Sequence, residues 1–407
     1  MKRVVITGAG ALSPLGHDWP TVSAALQSQR NAVKTMPDWA EVEGLNTRLA
    51  APAQPFTLPQ HYTSERTRRM GRVAVMAVRA TELALIDSGL DGNGVLHGGR
   101  SGVAYGSSAS EPAAMAGFAR MATNKDTTGF TVDTFDRVRG DTAAIAITDF
   151  FDVRGRVLAT SSACTSSSQA IGYSFEMIRD GRQEVMIAGG TEELSFVDAA
   201  VFDILFATSQ RNDDPASTPR PFDLNRDGLV IGEGACTLIL EDLDHALKRG
   251  ASIYAEVIGY GTNSDGAHVT NPQAQTMAKA IEAALLDARV VPSQVGYICA
   301  HGTSTEQGDI AESHATLIAM GSGVPISSLK SYMGHTLGAC GALEAWLSIE
   351  MMRTGWFAPT LNLEQIDPRC APLDYITGSG RQILTDVVMS NNFAFGGINT
   401  SLIFKRW

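Results

Sequence analysis

No stretch of the sequence offers the roughly 18 consecutive apolar residues that a membrane-spanning helix needs. The apolar run Val4-Val5-Ile6 after Met1-Lys2-Arg3 is broken at once by Thr7-Gly8, too short for the core of a signal peptide. Cysteine is scarce: five in 407 residues, at positions 164, 236, 299, 340 and 370, never in CxxC spacing. An odd, scattered set excludes a disulfide framework and a zinc site, so no metal is expected, and it fits a reducing cytoplasm. Positive charge is in deficit, with 32 Lys and Arg against 43 Asp and Glu and a net charge of −11. That balance disfavours nucleic acid and anionic membranes as partners, and an acidic partner would need a local basic patch. Proline is sparse, 16 against 40 glycines, which points to tight turns and close backbone approaches rather than linkers. The remaining chain, 44% hydrophobic, suffices for one large domain or two intimate ones.

The N-terminus reads as a strand into a glycine turn, Arg3-Val4-Val5-Ile6-Thr7-Gly8-Ala9-Gly10. A dinucleotide fingerprint fails here. Ser13 replaces the third glycine, Pro14 follows where a helix should open, and no acidic residue closes a second strand. Residues 31–60 read as irregular. Arg66, Arg68, Arg69 and Arg72 then place four arginines within seven residues, ahead of an alanine-rich amphipathic helix reaching Ser88. Such a run is either a solvated helix face or a docking patch for an acidic partner. Residues 110–140, with Asp133, Asp136, Arg137 and Arg139, fit no clear element.

Two echoes divide the chain. Glu176-Met177-Ile178-Arg179-Asp180-Gly181 returns as Glu350-Met351-Met352-Arg353-Thr354-Gly355. The strand Val185 to Gly190 has its counterpart in Val387 to Asn392. The shared order predicts a duplicated α/β unit, with halves over residues 1–250 and 251–407.

Cys164 follows the apolar run Val157-Leu158-Ala159-Thr160 and precedes a helical stretch ending at Arg179. A buried strand turning into a helix would set the thiol beside unpaired N–H groups and the positive end of the helix dipole, favouring the thiolate. In the second half the turn Gly334-His335-Thr336-Leu337-Gly338 opens the matching helix, and face-to-face halves would bring the two turns together. His301, directly after the strand Val295 to Cys299, and His335 are both bordered by glycine at strand ends. His17, His61, His97, His245 and His314 read as ordinary core or surface residues. One cysteine with two loop histidines suits covalent acyl chemistry. The loop Phe393-Ala394-Phe395-Gly396-Gly397-Ile398-Asn399 permits a backbone N–H to face a cleft, as an oxyanion hole requires.

These stretches, with Arg211-Asn212-Asp213, Arg220-Pro221-Phe222-Asp223, Arg226-Asp227-Gly228, Gly308-Asp309, Lys330-Ser331, and Gly338-Ala339 with Gly341 and Glu344, carry a resemblance from end to end. The chain resembles the type II β-ketoacyl-[acyl carrier protein] synthases of the thiolase superfamily, those with a Cys-His-His site. The resemblance implies a thiolase-like fold, a duplicated five-layered α-β-α-β-α architecture, usually as a homodimer, with a heterodimer possible. It implies decarboxylative condensation of an acyl chain held on Cys164 with malonyl-[acyl carrier protein], in fatty-acid or polyketide and polyene synthesis. Cys164 and Phe395 would supply oxyanion N–H groups, with Phe395 also a gate. His301 and His335 would stabilise the enolate, and Lys330 and Glu344 would support them. Thr303 and Thr305 would hold the phosphopantetheine arm, which arrives on the carrier, so no cofactor of the enzyme's own is expected. Arg66, Arg68 and Arg69 fall where the family docks its acidic carrier.

Three departures bear on the chain accepted. Residues 107–140 are more polar than a pocket for plain saturated chains suggests, Phe206 stands where a basic residue is common, and Ala394 and Ile398 replace a usual glycine and threonine. A non-catalytic chain-length-factor subunit would lack the nucleophile that Cys164 provides. A thiolase would need a second cysteine in the loop around Phe395, which has none.

Overall fold

The computed structural model describes residues 1–268 and 270–407. The first half contributes strands β1 (Val4–Leu12), β2 (Ser101–Gly106), β3 (Val157–Ala159), β4 (Val185–Glu192) and β5 (Gly234–Asp242). Its main helices are α1 (Arg72–Ser88), α2 (Pro112–Asn124), α3 (Val132–Val138), α4 (Thr142–Phe151), α5 (Ser166–Arg179) and α6 (Phe196–Asp203). The second half contributes β6 (Ala255–Ser264), β7 (Tyr297–Cys299), β8 (Pro325–Ser327), β9 (Asp374–Tyr375), β10 (Val387–Phe393) and β11 (Ile398–Arg406), with helices α7 (Ala274–Ala288), α8 (Glu306–Met320) and α9 (Cys340–Thr354).

The duplication is visible in the strand order. One 11-stranded sheet runs β9-β8-β7-β10-β11-β6-β1-β5-β4-β2-β3. Outward from the centre, β1-β5-β4-β2-β3 repeats as β6-β11-β10-β7-β8. The pairing sense repeats too: antiparallel, antiparallel, parallel, parallel in each half. β1 and β6 join the halves antiparallel, with Val4 opposite Val257. Helices α1 and α4 cover the outer face of the first half, and α7 and α8 that of the second. Helices α5 and α9 touch strands of both halves and each other, so they form the central layer of five. Nearly every side chain of α9 is buried. A helix enclosed all round has no polar stripe, which explains the weak periodicity of that stretch. Among the described residues no helix is long and apolar enough to cross a membrane.

The glycines of the N-terminal segment do not make a turn. Gly8 and Gly10 lie inside β1, where a Cβ would sit 2.5 Å from the Ala84 carbonyl oxygen and 2.2 Å from that of Ala80, both on α1. Gly259 and Gly261 repeat this on β6, 2.5 Å from Ala284 and 2.1 Å from Ala280 of α7. The glycines are seats for a close-packed helix in each half. Val157 to Ala159 also differs from expectation. It is the edge strand, paired only with β2, and Val157 and Ala159 are exposed in the single chain. Residues 110–140, which fit no clear element in the sequence, contain α2 and α3.

Candidate active site

Cys164 lies in a tight 3-10 turn, Ala163 to Thr165, between β3 and α5. Ala163 adopts a left-handed conformation at φ 52°, and Leu337, at the matching place before α9, does so at φ 46°. Each sharp turn drives the next residue toward the interface of the halves, a strained geometry typical of functional sites. The central layer thus brings Cys164 and the His335 turn together. The Cys164 thiol, a His301 ring nitrogen and a His335 ring nitrogen all lie within 4.8 Å of one another.

The histidine tautomers follow from their partners. The Leu337 N–H donates to His335 Nδ1 at 3.1 Å. With Nδ1 accepting, the ring proton sits on Nε2, which points at Cys164 Sγ 2.9 Å away. Asn392 Nδ2 donates to Glu344 Oε2 at 2.6 Å and faces His301 Nδ1 at 3.3 Å, while its Oδ1 accepts from the Ser168 hydroxyl. That network fixes the Asn392 amide and leaves His301 with its proton on Nε2. Glu312 accepts the backbone N–H groups of His301 and Gly302 at 2.7 and 2.6 Å and so pins the His301 backbone. Both imidazoles are neutral. Burial pushes their pKa values well below the ordinary histidine value, and the positive charge of Lys330 adds to it.

Lys330 and Glu344 form a buried ion pair. Burial works against the Lys330 charge, but the adjacent Glu344 carboxylate prevails and holds the ammonium protonated. The expectation of a thiolate at rest is corrected. Cys164 is only 4% exposed, and burial pushes its thiol up to about 11. The backbone N–H groups of Phe395 and Cys164 and the charge of Lys330 oppose this but do not overcome it. Cys164 is therefore a neutral thiol, already facing the Phe395 and Cys164 N–H groups.

Phe395 sits in the hairpin turn between β10 and β11, closed by the Ala394 N–H donating to the Ile398 carbonyl at 2.7 Å. Gly396 and Gly397, at φ 102° and 79°, allow that turn. The Phe395 ring meets Phe202 of α6 edge-on, 5.7 Å between centroids. A cavity of about 420 Å³ leads from Cys164 to the surface. Thr303 and Thr305 line it, their hydroxyls 2.8 Å apart. The turn-rich loop after Arg211 serves as scaffold: Asp309 accepts from the Phe222 and Ser304 N–H groups and meets Arg226 at 3.4 Å, shaping the His301–Thr305 loop.

Arg66, Arg68 and Arg69 lie on the exposed surface before α1 and do not line this cavity. The Arg66 guanidinium stacks 3.7 Å from the Phe150 ring centroid, and Arg69 lies 3.6 Å from both Asp133 and Asp136. Sequence reasoning missed Asn392 and Glu312 as holders of His301, because their role depends on contacts across the fold. It also passed over His268, which lines the cavity beside Asp265 and Asn271 and carried no local signal of its own.

The family model for the beta-ketoacyl synthase N-terminal domain matches residues 1–246, and the model for the C-terminal domain matches residues 254–364. The chain is 34% identical to 3-oxoacyl-[acyl-carrier-protein] synthase 1 of Haemophilus influenzae over 100% of both chains. A crystal structure of a beta-ketoacyl synthase from Burkholderia phymatum superposes with a TM-score of 0.99 at 56% identity, covering 100% of both chains. A type II polyketide ketosynthase solved in complex with its acyl-carrier protein superposes with a TM-score of 0.88 at 31% identity, covering 100% of both. With both family models matched in order along it, and relatives alike over their whole length, the chain belongs to the beta-ketoacyl synthase family.

Proposed function

We propose that the protein is a 3-oxoacyl-[acyl carrier protein] synthase whose reaction runs through Cys164. The observation that carries this reading is the convergence of one thiol and two neutral imidazoles, each with Nε2–H directed into the same cavity. An acyl thioester delivered by a carrier enters past Thr303 and Thr305, whose hydroxyls offer hydrogen bonds to the phosphopantetheine arm. Cys164 Sγ attacks the carbonyl carbon, and the oxyanion is received by the Cys164 and Phe395 N–H groups. The carrier thiol leaves with the proton, and the acyl group remains on Cys164. A malonyl thioester then binds with its carbonyl oxygen between His301 and His335. Loss of CO2 places the electron pair on the enolate, which the two N–H donors stabilise. The carbanion carbon attacks the Cys164 thioester, and the thiolate leaves as the 3-oxoacyl product forms.

Neutral donors suit this step, because an imidazolium would protonate the enolate it is meant to hold. Burial keeps both rings neutral, the charge of Lys330 adds to it, and Glu344 keeps Lys330 charged. The product feeds fatty-acid or polyketide assembly. The carrier is its macromolecular partner, with Arg66, Arg68 and Arg69 offered to acidic surface, and the working unit is a homodimer or a pair with a related subunit. A free catalytic thiol suits a reducing compartment such as the cytoplasm. The presence of Cys164 disfavours the non-catalytic chain-length-factor role.

The test is condensation of acyl- and malonyl-carrier thioesters, read by product mass and CO2 release. The expected product is longer by two carbons and carries a 3-oxo group. Absence of both CO2 and product would refute the assignment.

A further inference from the structure

One buried carboxylate beside the reacting groups takes no part in the reaction steps. Glu192 ends β4 and is 1% exposed. Its Oε2 accepts the Ser108 N–H at 2.7 Å and the Gly338 N–H at 2.9 Å, and its Oε1 accepts the Ala109 N–H at 3.2 Å. Backbone N–H groups, rather than a cation, satisfy it. Ser108 and Ala109 follow β2 in the first half, whereas Gly338 precedes α9 in the second. One side chain therefore joins the two halves. Strand β2 is buried along its whole length, so the turn after it is the anchor and Gly338 is the part that is held.

The held part leads to the chemistry. Gly338 follows Leu337, whose left-handed backbone at φ 46° is disfavoured for a residue with a Cβ and persists only where the surroundings enforce it. The Leu337 N–H donates to His335 Nδ1 and so keeps the ring proton on Nε2, facing Cys164. The turn thus has two consecutive N–H groups, one taken by His335 and the next by Glu192. The fit is close. A Cβ on Gly338 would lie 2.9 Å from Glu192 Oε2 and 2.7 Å from the Ser108 nitrogen, and a Cβ on Gly190 would lie 2.4 Å from the Gly338 carbonyl oxygen. A carboxylate binds N–H groups more strongly than a neutral acceptor does, so the charge on Glu192 sets how firmly the turn is held.

We propose that Glu192 is a positioning residue for His335: its charged carboxylate holds the strained Leu337–Gly338 turn, and through the Leu337 N–H it keeps the His335 Nε2–H aimed at the reacting centre. This rests on the reading of His335 as a donor to the malonyl thioester carbonyl.

The surroundings set that charge. Burial pushes the Glu192 carboxyl up to about 7, and the Ser108 and Gly338 N–H groups pull the other way. Asp198 on α6 is the charged group that faces Glu192, and it raises the carboxyl further. Asp198 is 9% exposed, and burial pushes it up to about 6. Of the two turns that Glu192 grips, 107–109 carries no titratable side chain, and the other carries His335, a neutral ring. Cys164 nearby is a neutral thiol, and the adjoining Glu193 faces Glu111, Arg72, Glu233 and Asp198. Above about pH 7 Glu192 is an anion and holds the turn fully, and as pH falls through about 7 it takes up a proton and the hold weakens.

The test measures two half-reactions from about pH 6 to about pH 8.5: single-turnover CO2 release from malonyl-carrier, and acyl transfer to Cys164. It uses the parent, Glu192→Gln and Asp198→Asn. In the parent, CO2 release rises with pH to a plateau, with an apparent pKa of about 7. In Glu192→Gln, CO2 release at the plateau falls about 10- to 100-fold and loses that rise, the size of effect that a small misplacement of a reacting group gives. Acyl transfer, which does not use His335 as donor, changes by less than about threefold. In Asp198→Asn the plateau is unchanged and the rise moves to lower pH, because a like charge facing Glu192 is gone. Equal falls in both half-reactions of Glu192→Gln, or no fall in either, would overturn the proposal. If Glu192→Gln does not fold, Asp198→Asn decides alone, and an unmoved rise would overturn it. A parent whose CO2 release is flat across this range would overturn it too, with the synthase reading intact. A parent that releases no CO2 at any pH would overturn the synthase reading itself.

Discussion

Asn392 tests the logic of the site most searchingly, because it touches no substrate. Its Nδ2 serves Glu344 Oε2 at 2.6 Å and faces His301 Nδ1 at 3.3 Å. In Asn392→Ala both partners lose a donor inside a fully buried network. The Glu344 oxygen, with its side chain 0% exposed, is left with one fewer hydrogen bond, which costs about 1–3 kcal/mol of stability. His301 can then carry its proton on Nδ1 and present a lone pair where an N–H is needed. Loss of one preorganised oxyanion donor costs about 2.7–4 kcal/mol, or about 10²–10³ in rate. The account therefore predicts that decarboxylation of malonyl-carrier falls by about two orders of magnitude. Transfer of an acyl group to Cys164, which uses the Cys164 and Phe395 N–H groups, stays within about fivefold. Single-turnover CO2 release and acyl-enzyme formation, measured separately, give the two rates. Asn392→Asp should recover activity as pH falls, because only a protonated aspartic acid can donate to Glu344. Equal losses in both half-reactions, or no loss in either, would refute the assigned positioning.

Further outcomes follow from the same geometry. Alkylation of Cys164 in the enzyme without substrate added should accelerate about tenfold per pH unit from pH 7 to pH 10, since burial raises its thiol to about 11 and only the thiolate reacts. A plateau below pH 8 would show instead that the helix terminus prevails. Lys330→Met or Glu344→Met should each destabilise the fold by about 3–5 kcal/mol by leaving a buried charge alone, and the double substitution should cost less than either, as judged by denaturant titration. Gly10→Ala should abolish the soluble folded protein, because the new Cβ would lie 2.2 Å from the Ala80 carbonyl oxygen. A soluble variant with parental thermal stability would contradict the helix-seat role of that glycine.

The sequence marked Cys164, His301 and His335 openly, because the thiol stands in a run of small residues before a helix and both histidines border a glycine, and the fold brings the three together. It carried the duplication through the Glu176 and Glu350 echoes, since both copies close a central-layer helix beneath a left-handed glycine, Gly181 at φ 73° and Gly355 at φ 77°. What it hid depends on the third dimension. The Gly8–Gly10 pair looked like a turn, but only the approach of α1 explains it. The thiol at a helix start suggested a thiolate, but burial outweighs the dipole. The histidine tautomers are set by Leu337 and Asn392, and neither residue type signals that role along the chain. The arginines before α1 announced themselves by density, but only the fold shows that they lie outside the cavity reaching Cys164.

The central claim is that Cys164 accepts the acyl chain. Incubation with acyl-carrier thioester in the absence of malonyl substrate, followed by intact-mass and peptide mass spectrometry, tests it directly. The account predicts one acyl adduct per chain, confined to the peptide containing Cys164, discharged when malonyl-carrier is added and absent from Cys164→Ala. An adduct on another residue, or an equal adduct in Cys164→Ala, would contradict it.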